Sequence, residues 1–179
     1  MGATTTLLSF EEFESLPDAP GKRELLDGEL IELPPPKLRH ALIQDVIAES
    51  LKRYAVDQGL RVFEELGFRL RGPRGQWLQP DVSVVARELI ERAEPDGYIE
   101  SAPLIAIEVI SSGNTAESVE RKLVKYLENG AGEVWVVYPK TRHIWRYEGL
   151  TAHAIIQDGM LTSPLLCGFE LDSNQIFGT

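Results

Sequence analysis

Two apolar runs, Gln79-Pro80-Asp81-Val82-Ser83-Val84-Val85 and Leu104-Ile105-Ala106-Ile107-Glu108-Val109-Ile110, each carry one carboxylate where a buried strand would otherwise place a hydrophobe. An unpaired carboxylate in a strand core is destabilising by several kcal/mol. A chain that places two of them in core strands therefore has to bring a cation, a lysine or water to meet them. A divalent metal held by hard oxygen ligands is the simplest answer. The next helical segment, Thr115 to Asn129, supplies Arg121 and Lys122 close behind.

The rest of the chain reads around these runs. Ser9 followed by Glu12 has the capping-box spacing, and Phe10, Phe13 and Leu16 follow before Pro17 stops the helix. Asp27-Gly28 between Lys22–Leu26 and Glu29–Leu33 predicts a hairpin, ended by Pro34-Pro35-Pro36. A helix is expected over Leu38–Gln58, capped by Gly59, with His40, Ile43, Ile47, Leu51 and Tyr54 on its inner stripe. On that stripe His40 is either a hydrogen-bonded core histidine or a lining of the site. Arg61–Arg71 alternates and should pair antiparallel with Trp77–Ala86 through the turn Gly72-Pro73-Arg74-Gly75. Glu64 falls on the apolar register of that strand, which leaves a bulge and a site role both open. A surface connection spans Arg87–Ala102, with a short helix at Glu88–Arg92.

In the segment Thr115–Asn129, Val119, Leu123, Tyr126 and Leu127 form the buried stripe, with Lys122 on its edge. A lysine there commonly snorkels to solvent. Here the Glu108 strand ends beside it, so its ammonium can reach the carboxylates, while Arg121 and Lys125 point further outward. Strands at Glu133–Tyr138, Arg142–Tyr147 and Thr151–Ile156 follow, and the segment to Ile176 packs loosely on the sheet edge. Trp135 and Trp145 read as core or sheet-face residues more readily than as base-stacking platforms. The expected architecture is an α/β sandwich over one domain, residues 1–179, with a mixed central sheet, flanking helices, an N-terminal hairpin and a β-rich C-terminal tail.

Composition narrows the function classes. The single cysteine, Cys167, excludes an intrachain disulfide and a CxxC metal site, and no apolar run reaches spanning length. A reducing cytoplasm fits, with no membrane association. A net charge of −10 runs against the basic footprint of most nucleic-acid binders. Local patches still act within a Debye length of roughly 10 Å. The candidates are Lys37 with Arg39, Arg69 with Arg71 and Arg74, and Arg121 with Lys125. Alternation puts Arg69 and Arg71 on one strand face with Arg74 in the turn nearby, which makes these three the expected substrate-binding arginines. Each cluster also reads as ordinary solvated surface. Neither a P-loop nor a serine triad is present.

Pro80-Asp81 and Glu108, in this order before a helical lysine, resemble the PD-(D/E)XK, or restriction-endonuclease-like, nuclease superfamily. The lysine usually found two residues after the glutamate is replaced by Ile110, and Lys122, fourteen residues on, matches the variation in which that lysine moves to the following helix. More narrowly, Glu108-Val109-Ile110-Ser111, Lys122, Tyr126, Glu133-Val134-Trp135-Val136-Val137, Arg23-Glu24-Leu25-Leu26-Asp27-Gly28-Glu29-Leu30 and His40 look like the Uma-type endonuclease family, over residues 9 to 139. Ser112 and Tyr138 depart from it, standing where the family has proline and aspartate.

The resemblance implies a metal-dependent endonuclease acting on nucleic acid, DNA first, with RNA left open. Asp81, Glu108 and the Val109 carbonyl would hold Mg²⁺ or Mn²⁺, and Lys122 would be the catalytic lysine. Glu24 would be a supporting acid near the metal; from the residues alone it reads as a solvated strand face beside Lys22 and Arg23. His40 would line the site. Two rivals remain: a catalytically degenerate module that binds nucleic acid or protein, and a structural pairing of Asp81 and Glu108 with arginines. The reading leaves room for a homodimer.

Overall fold

Asp27 and Gly28 both take positive φ, 54° and 88°, the backbone that a two-residue hairpin turn requires. They join β1 (Lys22–Leu26) to β2 (Glu29–Leu33), with Lys22 opposite Leu33 and Leu26 opposite Glu29. In the computed structural model, which describes residues 7–111, 113–156 and 158–178, this hairpin follows α1 (Phe10–Glu14) and precedes α2 (Leu38–Ala55). The capping box of Ser9 and Glu12 is formed. Helix α2 ends sooner than its periodicity suggests, because Val56 leaves helical backbone and Asp57 turns to φ 64°. Ser112, which stands where the family has proline, lies outside the described residues.

The two long strands expected over Arg61–Arg71 and Trp77–Ala86 do pair antiparallel, but each is broken in two. Strand β3 (Leu60–Glu64) pairs with β6 (Val82–Ala86), and β4 (Phe68–Leu70) pairs with β5 (Gln76–Leu78). The register is continuous, with Glu64 facing Val82 and Phe68 facing Leu78. Between them Glu65 takes φ 52°, Gly67 passes against the Trp77 indole where a Cβ would fall 1.9 Å from a ring carbon, and Pro80 has no N–H to donate to a ladder. The break sends the proximal half into one sheet and the distal half into another. Asp81 sits at this junction, and its carbonyl accepts from the Glu65 N–H at 3.2 Å.

After α3 (Arg87–Arg92) come β7 (Ile105–Val109), α4 (Ala116–Glu128), β8 (Glu133–Tyr138), β9 (His143–Glu148) and β10 (Thr151–Ile156). The central sheet is mixed, in the order β10-β9-β8-β7-β6-β3, with β7 and β8 parallel and joined through α4. A smaller sheet runs β2-β1-β5-β4. The tail is more ordered than its composition suggests. Strands β11 (Met160–Ser163) and β12 (Leu166–Asp172) form a separate hairpin, and α5 (Ser173–Phe177) follows.

Alternation along the central strands divides the core in two. Ile105, Ile107, Val109, Val82 and Val84 pack towards Ile43, Ile47 and Leu51 of α2, with Phe169 and Leu171 of β12 and Ile176 of α5. Ala106, Val85, Val134 and Val136 pack the other way, against Leu123 and Tyr126 of α4 and Leu26, Phe68 and Leu78 of the smaller sheet. By the same parity Asp81 and Glu108 belong to this second face. Trp135 is fully buried against Phe169, so it cannot stack on a base. No helix among the described residues is long and apolar enough to cross a membrane.

Candidate active site

Strands β6 and β7 are antiparallel, with Val82 opposite Ile107, so Asp81 and Glu108 stand one step further along the same ladder, across from one another on one face. Both line a cleft of about 750 Å³, at whose rim lie Pro34-Pro35-Pro36, Lys37, Arg39, Ser111 and Lys140. Asp81 is 6% exposed and Glu108 8%.

Two ammonium groups meet these carboxylates. Lys122, 4% exposed, is not at the solvent edge of α4 but points into the sheet. Its Nζ lies 2.6 Å from Glu108 Oε1 and donates to Glu24 Oε1 at 2.9 Å. The Tyr126 hydroxyl, one turn on, donates to the same Glu108 oxygen at 2.8 Å. Lys22 Nζ donates to Asp81 Oδ1 at 3.2 Å and lies 3.8 Å from Glu24 Oε1. The Val109 N–H donates to Asp81 Oδ2 at 2.7 Å, and His40 Nε2 is 3.4 Å from that oxygen. The structure therefore brings Asp81, Glu108, Val109, Lys122, Glu24 and His40 together.

Several expectations change here. Glu24 is not a solvated strand residue: it is 1% exposed and accepts from both Lys122 and the Gln79 N–H, the latter at 3.0 Å. Its strand is covered on both faces, which alternation within the strand alone does not reveal. The pairing of Asp81 and Glu108 with arginines does not occur; lysines fill that role. Glu64 is neither a bulge nor a site residue but pairs with Lys52 at the surface. Ile110, in the usual lysine's position, packs against the α4-side core and lines the cleft.

Arg69, Arg71 and Arg74 are not brought to the cleft. They lie on the distal half of the broken hairpin, which runs away from Gln79 with the smaller sheet. Arg69 is held by Glu11, Glu100 and the Phe10 ring, and the Arg74 side chain abuts Gly28 at the far end of β1. Arg121 and Lys125 are also occupied, tying α4 to Asp27.

Burial works against every charge in the cluster, and the partners decide the outcome. Burial would raise Asp81, but Lys22, His40 and Lys122 outweigh it and hold its carboxyl well below the usual range. Burial lowers both lysines. Glu108 and Glu24 overcome this at Lys122, and Asp81, Glu24 and Glu108 do so at Lys22, so both stay protonated above the ordinary lysine range. Burial pushes Glu108 up against the pull of Lys122 and Lys22, with Asp81 and Glu24 adding to the rise. Burial and Glu108 raise Tyr126 well above a free phenol, which keeps it a hydrogen-bond donor.

The family model Uma2, described as "Putative restriction endonuclease", matches residues 10–172. The chain belongs to the Uma2 family. A crystal structure described as a "putative nuclease belonging to DUF820" from Anabaena variabilis ATCC 29413 is similar in fold, with a TM-score of 0.82 and 22% identity over 95% of this chain and 97% of that one. No curated protein matches the sequence. The restriction-endonuclease-like sandwich expected from Asp81, Glu108 and Lys122 is thus the fold of this Uma2 member.

Among the described residues no three acidic or histidine side chains converge closely enough to cage a metal. The donor chemistry nevertheless suits a hard divalent ion: two carboxylates across one ladder, with the Val109 main chain beside them. Lys122 and Tyr126 both contact Oε1 of Glu108, whereas both Asp81 oxygens are engaged. Lys22 has no site role in the sequence reading, and Tyr126, expected on the buried stripe of the helix, also reaches Glu108. The Lys22-x-Glu24 spacing puts both side chains on one strand face, a signal that was available once Glu24 is known to be buried.

Proposed function

We propose that this Uma2 member is a divalent-metal-dependent endonuclease that hydrolyses phosphodiester bonds, with DNA as the expected substrate. The observation carrying this reading is the placement of Asp81 and Glu108 on one face of adjacent strands at a cleft, with the Lys122 ammonium held between Glu108 and Glu24. Asp81, Glu108 and the Val109 carbonyl would hold Mg²⁺ or Mn²⁺, which supplies a Lewis acid for the phosphoryl oxygen and lowers the pKa of bound water. Lys122 orients the attacking water and offsets negative charge developing on the phosphorus oxygens. As a protonated ammonium it serves as an electrostatic stabiliser rather than as a base. Glu24 and Tyr126 fix Lys122 and Glu108 in position, and His40 closes the Asp81 side.

A metal-binding heat on Mn²⁺ titration, with Mn²⁺-dependent cleavage of DNA or RNA, is the expected result. Pairing of both carboxylates with lysines favours the alternative, a degenerate binding module. The absence of both heat and cleavage would favour that alternative.

The cleft's own cations, Lys37, Arg39 and Lys140, take the phosphate contacts in this reading. Replacing all three should flatten the salt dependence of nucleic-acid binding by roughly 2–3 in log–log slope, since each lost phosphate contact removes about 0.9 for duplex DNA. Replacing Arg69, Arg71 and Arg74 should leave the slope unchanged. The opposite pattern would return the substrate to the hairpin tip.

A further inference from the structure

Lys22 is the outer of the two ammonium groups and the only one touching Asp81. Its Nζ sits on Oδ1 at 3.2 Å while the Val109 N–H takes Oδ2, so Asp81 offers no uncommitted oxygen while Lys22 stays. The two lysines are held differently. Lys122 is clamped within 3 Å by Glu24 and Glu108, with its side chain 5% exposed. Lys22 has one close partner and a second at 3.8 Å, its side chain is 13% exposed, and it opens β1 next to Gly21, both lining the cleft. Its unbranched stem can withdraw the charged end along the cleft without moving the strand.

The charge balance points the same way. Glu24, Asp81 and Glu108 against Lys22 and Lys122 leave these five groups with one negative charge. A divalent cation added beside both lysines would leave a net positive charge packed below the cleft. The same cation arriving as Lys22 departs leaves the cluster neutral.

We propose that Lys22 is a resident counter-cation of Asp81, which a divalent metal must displace from Oδ1 in order to bind. This rests on the metal-dependent reading above. It makes the site's metal affinity a contest with a built-in side chain, and Lys22 a residue that tunes loading.

Mn²⁺ titration by calorimetry on the full chain tests it, using the parent, Lys22→Met, Lys22→Gln and Lys140→Met, each checked for folding by circular dichroism. Both Lys22 variants should bind Mn²⁺ at least about tenfold more tightly than the parent, the lower end of what close charge pairs contribute. Lys140→Met, which removes a cation from the same cleft but not from Asp81, should stay within about twofold of the parent. Lys22→Gln keeps a hydrogen-bond donor for Asp81 and decides the matter should Lys22→Met not fold. A heat appearing only in the Lys22 variants also supports displacement. Equal affinity in the parent and the Lys22 variants overturns the proposal while leaving the metal-dependent reading intact. Tightening of Lys140→Met to the same extent overturns it too, because the effect would then be the general field of the cleft. Absence of heat in the parent and every variant overturns both.

Discussion

Asp81→Ala and Glu108→Ala should each abolish Mn²⁺ binding while the chain remains folded. With only two carboxylates on the shared face of β6 and β7, removal of either leaves the metal one acidic ligand and main-chain or water oxygens. The two variants differ in what they leave behind. Without Asp81, the Lys22 ammonium lies beside the open cleft and can be hydrated. Without Glu108, Lys122 keeps Glu24 as a partner, but the buried Tyr126 hydroxyl loses its acceptor, a cost of about 1–3 kcal/mol. Glu108→Gln, which retains an acceptor, separates that structural loss from the loss of a ligand. Circular dichroism establishes the fold, and calorimetry reads the metal. A variant that binds Mn²⁺ like the parent shows that its carboxylate is not a ligand.

Local chemistry was legible wherever it dictated the backbone. Asp27-Gly28 had to turn, the Ile43-Ile47-Leu51 stripe had to be buried, and two carboxylates in apolar runs had to meet cations. What could not be read was which elements cover which faces. Apolar alternation runs straight through Glu65–Gly67, so nothing in the periodicity of Arg61–Arg71 separates β3 from β4 or assigns them to different sheets. The misplacement of Arg69, Arg71 and Arg74 follows from that single break, since an unbroken strand would have carried them along the central sheet. Glu24 and Lys22 were obscured for a related reason: a hairpin next to charged residues reads as one-sided, and only the packing of α4 and the central sheet over β1 buries them. The lysine demanded by the two carboxylates was found, but its twin was not, because Lys22 lies 59 residues before Asp81 in sequence, and its neighbour Glu24 lies 55 before Gln79.

Lys122→Met should lower cleavage per folded molecule by on the order of 10²-fold or more, the scale for losing one preorganised charge-stabilising donor. Lys122 is the ammonium at Glu108, and Ile110 leaves the strand position without charge, so no neighbour on β7 substitutes for it. The same contacts mean that the variant is destabilised as well. Glu24 and Glu108 would share only the more distant Lys22, and breaking a buried pair by removing one partner costs about 3–5 kcal/mol. Cleavage is therefore compared well below the melting temperature of each variant, on the folded fraction measured by circular dichroism. Lys122→Gln, which can still donate to Glu24, should recover part of the stability and none of the activity. Lys125→Met is the control. Lys125 lies three residues along α4 but reaches Asp27 and Glu128 away from the cleft, so its loss should cost at most about 1 kcal/mol and leave cleavage unchanged. If Lys122→Gln cleaves like the parent once its folded fraction is counted, Lys122 is a counter-ion for Glu24 and Glu108 and the charge opposing the phosphate must come from elsewhere in the cleft, with Lys22 the first residue to test.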